Sequence, residues 1–229
     1  MVKEPLIFVY TDDPMCSMSS SDAICEVLNK IGKYKVWMCG PDSYPKISLK
    51  LALQKADCVV FPGGGGDSDQ FYNTLKFYKK DVQKFIENGG KYLGICMGSY
   101  FAEKYYFELL PHNIGCSQYI KRPNSNVTKH TATTTTIKWK DEWREMYFHD
   151  GSAFYFIDCE PVSTIIYATY NNGDIAALIQ PYGKGKIGLI GPHPEAPKWW
   201  FYVQPKLREN WYTCINHEVL NEFMDDLLQ

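Results

Sequence analysis

What this sequence of 229 residues lacks already removes several classes of function. It has no dense run of Lys or Arg, and 24 basic against 26 acidic residues leave a net charge of −2. The electrostatic footprint of a nucleic-acid binder is therefore missing. No apolar stretch approaches the length needed to span a bilayer. No leader of secretory type, charged and then apolar, stands at Met1. The eight cysteines include no Cys-x-x-Cys pair, and no Cys/His cluster has zinc spacing, which argues against a metal site. Repeats and low-complexity linkers are also missing, so one domain over residues 1–229 is expected. These absences lead to a soluble, cytoplasmic protein with no metal, no cofactor and no nucleic-acid or membrane partner.

An even number of cysteines invites a disulfide reading, but the chain is far larger than a typical disulfide scaffold. Cys39 and Cys58 lie in apolar runs, where a reduced thiol behaves as a small hydrophobe. Asn126-Val127-Thr128 matches a glycosylation pattern, which carries no meaning in a reducing compartment. Hydrophobic residues make up 45% and charged residues 22% of the chain, enough apolar content to build a core. The aromatic residues are spread along the sequence and read as core and pocket walls.

The first half alternates short apolar runs with helical periods. Strands are expected at Leu6–Tyr10, residues 34–38, Cys58–Phe61 and Lys91–Ile95. Helices are expected at residues 20–31, 47–53, 81–87 and 98–105. Strands without polar alternation, separated by helices, point to an α/β chain with a mostly parallel sheet covered on both faces. The second half is richer in strands, at residues 132–139, 164–170, 175–180 and 186–190. Asn171-Asn172-Gly173-Asp174 reads as a hairpin turn. Residues 206–228 read as a C-terminal helix on the sheet.

Three blocks carry chemistry. In Gly94-Ile95-Cys96-Met97-Gly98, a Cys flanked by glycines stands where a strand becomes a helix, the setting of a nucleophile elbow. The helix N-terminus would favour the thiolate. In Gly191-Pro192-His193-Pro194-Glu195, the prolines favour an extended backbone, so residues 193 and 195 face the same side. Glu195 would then orient the imidazole of His193, whose other nitrogen faces the thiol. The glycine run after Pro62 lets the N–H groups of Gly64 and Gly65 join that of Met97 as oxyanion donors. A plain turn or a phosphate cradle competes for this loop, although no Gly-Lys-Ser/Thr follows it.

Together these blocks resemble the class I glutamine amidotransferase-like superfamily, in which Gly-x-Cys-x-Gly works with a distal His-x-Glu on a flavodoxin-like sheet. The closer resemblance is to the N-terminal domain family of eukaryotic-type biotin–protein ligases. It rests on residues 61–65, 89–100, 147–151, 183–186 and 191–195, which keep the family's order. The resemblance implies a triad of Cys96, His193 and Glu195 acting on a small-molecule substrate, with a separate acceptor or synthase chain as partner. Tyr100 stands where glutamine-hydrolysing relatives carry Gln. No Gly-Arg-Gly-Arg-like loop for biotinyl-adenylate is found, which argues against biotin ligation by this chain. His149, Asp150 and Gly151 replace an Asn-Gly-Gly-like motif and, with Tyr100, are candidate pocket residues; a structural turn is the other reading of this block. Trp199 and Trp200 read as core. Three functions remain open: a thiol hydrolase or amidotransferase-like enzyme, a non-catalytic binding or regulatory domain that keeps the pocket, and a small-peptide hydrolase.

Overall fold

The computed structural model describes residues 4–13, 18–158 and 163–229. The first strand, β1 (Leu6–Tyr10), is followed by α1 (Met18–Ile31), β2 (Lys35–Cys39), α2 (Leu49–Lys55), β3 (Cys58–Phe61), α3 (Ser68–Leu75), α4 (Lys79–Glu87), β4 (Lys91–Ile95) and α5 (Met97–Tyr100). After these come six strands, β5 (Ile114–Gln118), β6 (Thr133–Trp139), β7 (Glu142–Phe148), β8 (Ser152–Phe156), β9 (Ile165–Tyr170) and β10 (Ile175–Tyr182). The chain continues through β11 (Gly185–Ile190), α6 (Lys198–Tyr202), α7 (Trp211–Cys214) and α8 (His217–Leu228).

All the strands join one mixed sheet with a main path of β2-β1-β3-β4-β11-β10-β9-β6-β7; β5 and β8 pair with each other, and β8 also meets β10. From β2 to β11 every pairing is parallel, and from β11 outwards every pairing is antiparallel. The parallel part is the flavodoxin-like sheet that the sequence resemblance implies, in the order β2-β1-β3-β4-β11. The antiparallel part is the strand-rich second half.

Strand periodicity explains how both faces of the parallel part are buried. Ile7, Val9, Val60, Leu93 and Ile95 point to one face, where α1 supplies Ile24, Val27 and Leu28 and α8 supplies Leu220, Phe223 and Leu227. Their neighbours Phe8, Tyr10, Val59, Phe61 and Tyr92 point to the other face, against Leu49, Ala52, Val82 and Ile86 of α2 and α4. The inner strands β1, β3 and β4 are therefore largely apolar runs, as a two-sided sheet requires, whereas the edge strand β2 keeps Lys35 and Trp37 exposed. By contrast, β6 alternates buried residues with partly exposed threonines, the pattern of a strand with one wet face.

The structure corrects several boundaries and adds five elements that the sequence reading did not contain: α3, β5, β7, β8 and α6. The helix expected at residues 98–105 is only the single turn α5, because the chain turns back on itself: Phe107 N–H bonds Phe101 O at 2.9 Å and Glu108 takes φ +56°. The helix expected over residues 206–228 is interrupted before α8. Asn216 is buried there, and its Nδ2 donates to Glu145 O at 2.8 Å, a tertiary bond that sets where α8 starts. The hairpin turn holds, with Gly173 at φ +89° and Tyr170 N–H donating to Asp174 O at 2.8 Å. Among the described residues six cysteines are free thiols, while Cys16 and Cys159 lie outside them. No helix among the described residues is long and apolar enough to cross a membrane.

Candidate functional site

Because β3, β4 and β11 are adjacent and parallel, their C-terminal ends meet at one edge of the sheet. Those three ends lead into the glycine loop, Cys96 and the Pro192–Glu195 segment. The topology alone therefore collects the three sequence blocks, at the edge where open α/β sheets place their ligands.

Cys96 is the hinge between β4 and α5. Its backbone has φ +50° and ψ −107°, a conformation that costs a side-chain-bearing residue of order 1–3 kcal/mol. The surroundings hold it there. Cys96 N–H donates to Ile190 O at 2.9 Å, Gly98 N–H to Pro62 O at 3.0 Å, and Ser99 Oγ to Cys96 O at 2.5 Å. A Cβ at position 98 would lie 1.9 Å from the Phe61 carbonyl oxygen, so the turn can close against β3 only with glycine there. The helix that follows is a single turn, so the backbone geometry of the elbow, rather than a long helix dipole, distinguishes this thiol.

Just beyond β11, His193 Nδ1 lies 2.8 Å from Glu195 Oε1, and both residues are buried. This segment is tethered to β7, with His193 N–H donating to Tyr147 O at 2.9 Å. The imidazole edge meets the Trp200 ring at a centroid distance of 5.2 Å. Burial alone would lower the pKa of His193, but the carboxylate of Glu195 and the neighbouring Cys96 outweigh it. The pKa is raised to about 10, a shift that favours the imidazolium. Gly63 completes the enclosure: a Cβ there would sit 2.7 Å from His193 Cε1 and 3.6 Å from Cys96 Cβ.

Among the described residues, no hydrogen bond uses the N–H of Gly64, Gly65 or Met97. All three residues border the space above Cys96. That space is divided. On one side is a cavity of about 440 Å³ whose walls include Met97, Tyr100, Lys121 and Asp150. On the other is a depression of about 250 Å³ whose walls include His193, Tyr147, Trp199 and Trp200. Cys96, Gly64, Gly65 and His149 border both. A larger depression of about 710 Å³ opens at the opposite end of the sheet, near Asp57 and Lys91, far from this chemistry.

The block from Tyr147 to Gly151 is more than a turn. Its carbonyls receive the Cys96 thiol (Sγ to His149 O, 3.4 Å), the Tyr100 hydroxyl (to Asp150 O, 2.9 Å) and His193 N–H. Gly151 O accepts from Tyr119 N–H at 3.0 Å, so Gly151 braces the block from behind rather than lining the cavity. Burial pushes the Tyr100 phenol well above its ordinary value, which keeps it a neutral donor. Trp200 is buried as expected, but Trp199 is 51% exposed, and both wall the smaller depression. Sequence reading gave Gly63, Gln118 and Lys121 no role in the site. Gly63 was visible in the glycine run, whereas Gln118 and Lys121 carried no local signal.

Comparison with known proteins follows the same lines. Residues 7–112 match the family model of the biotin-protein ligase N-terminal region. The fold is glutamine amidotransferase-like. A relative from Streptococcus pneumoniae, the GatD subunit of a glutamine-hydrolysing lipid II isoglutaminyl synthase, is 26% identical over 120 residues. That match covers 50% of this chain and 46% of the relative, so the chain spans about half of the relative's length. Among solved structures, a Thermoplasma acidophilum protein, assigned as one of the subunits of GMP synthase, superposes with a TM-score of 0.54 at 14% identity. The alignment covers 98% of this chain and 99% of that one. The exo-β-1,4-mannosidase Op5Man5 of an Opitutaceae bacterium gives 0.50 at 12% identity, over 91% of this chain and 35% of its own. At such identities the two structures speak for the fold alone. The resemblances to the amidotransferase-like superfamily and to the ligase N-terminal family are borne out.

Proposed function

We propose that this chain is a cysteine-dependent amide hydrolase or amidotransferase-like enzyme acting on a small molecule. One observation carries the reading: a strained Cys96 elbow beside a buried His193 whose Nδ1 lies 2.8 Å from Glu195 Oε1. The Cys96 thiolate attacks the amide carbonyl carbon, forming a C–S bond. The resulting oxyanion lies towards the N–H groups of Gly64, Gly65 and Met97. As the C–N bond breaks, the His193 imidazolium gives its proton to the departing nitrogen. Water then attacks the thioester, His193 takes a proton from that water, and the C–S bond breaks to release the acid. The acid's proton passes to the freed amine, so that a carboxylate leaves and the thiolate–imidazolium pair is restored. Glu195 keeps the ring in one orientation throughout. The GatD relative and the GMP synthase structure both bear names of multi-chain enzymes' parts, and on that ground the reading includes a separate partner chain that takes the released amine.

The test is a thiol-reactive probe followed by a panel of amides. Cys96 labels fastest, because burial pushes the thiols of Cys25, Cys58 and Cys214 up to about 12 and raises those of Cys39 and Cys116 as well. Cys96→Ala lowers turnover by at least about a thousandfold. Equal labelling of the accessible thiols, or turnover that survives Cys96→Ala, overturns the proposal.

A second reading, a non-catalytic binding domain, draws on the contacts that fasten the Cys96 thiol and the Tyr100 hydroxyl to the His149–Asp150 carbonyls. It predicts tight metabolite binding with no turnover of any amide. The small-peptide hydrolase reading is separated from the first by including short peptides and γ-glutamyl compounds in the panel.

A further inference from the structure

The space above Cys96 is divided unequally, and the division follows the chemistry. Met97, whose N–H faces a developing oxyanion, borders only the larger cavity; His193 borders only the smaller depression. An amide carbonyl attacked by Cys96 and turned towards Met97 has its acyl part in the larger cavity. Its nitrogen must then point at the group that protonates it, which is His193. The amine part of the substrate consequently extends into the smaller depression.

That depression is not shaped for ammonia. Its volume is about 250 Å³, and Trp199, Trp200, Tyr147 and Val203 are among its walls. Trp199 and Val203 are exposed at 51% and 63%, an uncommon use of large apolar side chains beside a nucleophile. The larger cavity is polar in contrast, with Lys121, Gln118, Asp150 and Asp67 among its walls.

Resting on the reading of Cys96 as nucleophile, we infer that the substrate is a secondary amide: its acyl part is polar and its departing amine carries an apolar, preferably aromatic, group held by Trp199. The step balances as written above. The C–S bond replaces the C–N bond, the His193 proton goes to the nitrogen, and a primary amine such as R–CH2–NH2 leaves in place of ammonia.

Two measurements on the whole chain test this. The first compares primary amides with N-benzyl amides of the same acyl groups, γ-glutamyl and succinyl among them. The N-benzyl member of the preferred pair is expected to have a kcat/KM at least about tenfold higher, and Trp199→Ala to shrink that ratio, mainly through KM. A ratio of one or below, or a ratio unmoved by Trp199→Ala, overturns the inference. The second measurement titrates benzylamine into the wild type, Cys96→Ala and Trp199→Ala by calorimetry. Binding that persists in Cys96→Ala and weakens about tenfold in Trp199→Ala supports the subsite. No heat with the wild type overturns it, whatever the turnover. Benzylamine binding without any Cys96-dependent hydrolysis defeats the enzymatic reading, and with it the assignment of the bound amine as a leaving group.

Discussion

The two parts of the sheet do different work. In the parallel part, from β2 to β11, both faces of the inner strands are buried and the strand ends carry Cys96, the glycine loop and His193. In the antiparallel part, β6 keeps one wet face, and the β7–β8 connection supplies the carbonyls and the His149–Asp150 wall. The doubly covered strands position Cys96 and His193 at one sheet edge. The antiparallel part adds the β7–β8 connection, whose His149 and Asp150 wall the space above Cys96. The junction is the Tyr147 carbonyl, which holds His193 from the other part.

The strongest way to break this division is to remove what both parts share. Phe223 of α8 packs on Tyr167 of β9 and Trp139 of β6, at centroid distances of 4.8 and 6.0 Å. It also fills the space beside Gly188 of β11. Phe223→Ala should cost about 3–5 kcal/mol in chemical denaturation. The two parts should lose structure in a single transition; two separate transitions would show that they are independent.

A smaller effect belongs to pH. The folded-state pKa of His193 is raised above its unfolded value, so the stability it contributes is complete below about pH 6.5. It is lost as the pH rises through about 10. Unfolding free energies measured across that window should decline in the wild type and decline less in His193→Gln. Identical slopes would mean that Glu195 and Cys96 do not hold the proton.

Next is a contrast within the parallel part. Gly98→Ala forces a Cβ against Phe61 O and should cost about 1–3 kcal/mol, with loss of probe labelling at Cys96. Gly65→Ala meets nothing within 4 Å and should change stability by less than about 0.5 kcal/mol. The smallest single effect expected in the antiparallel part is at Arg122. Its guanidinium pairs with both carboxylate oxygens of Asp174, at 2.8 and 2.9 Å, and lies 3.7 Å from the Tyr155 ring centroid. Arg122→Ala should cost about 1–2 kcal/mol and leave labelling of Cys96 intact.

The parallel part was also the more legible one. Leu6–Tyr10, Cys58–Phe61 and Lys91–Ile95 are short apolar runs buried on both faces, so no alternation was needed to find them. The β7 strand was missed because it is the sheet's last strand and carries Glu142, Arg144 and Glu145 at its exposed start, which dilutes any period. The interruption before α8 depends on Asn216 reaching Glu145 O across the fold, a contact that no window of local sequence contains. Cys96, His193 and Glu195 could be read because glycines and prolines mark the backbone around them. The wall residues Gln118 and Lys121 could not, since only β5 pairing with β8 brings them to the cavity.

The neighbouring strands β4 and β11 have one more consequence, in the order of events as the chain folds. Everything from α5 to β10 is threaded between them, so their pairing closes a long loop and waits on the entropy that closure costs. A growing chain that has just completed β4 carries Cys96 without the strand that brings its histidine. The thiol meets that partner only after the antiparallel strands have been made and β11 has slotted in between β4 and β10.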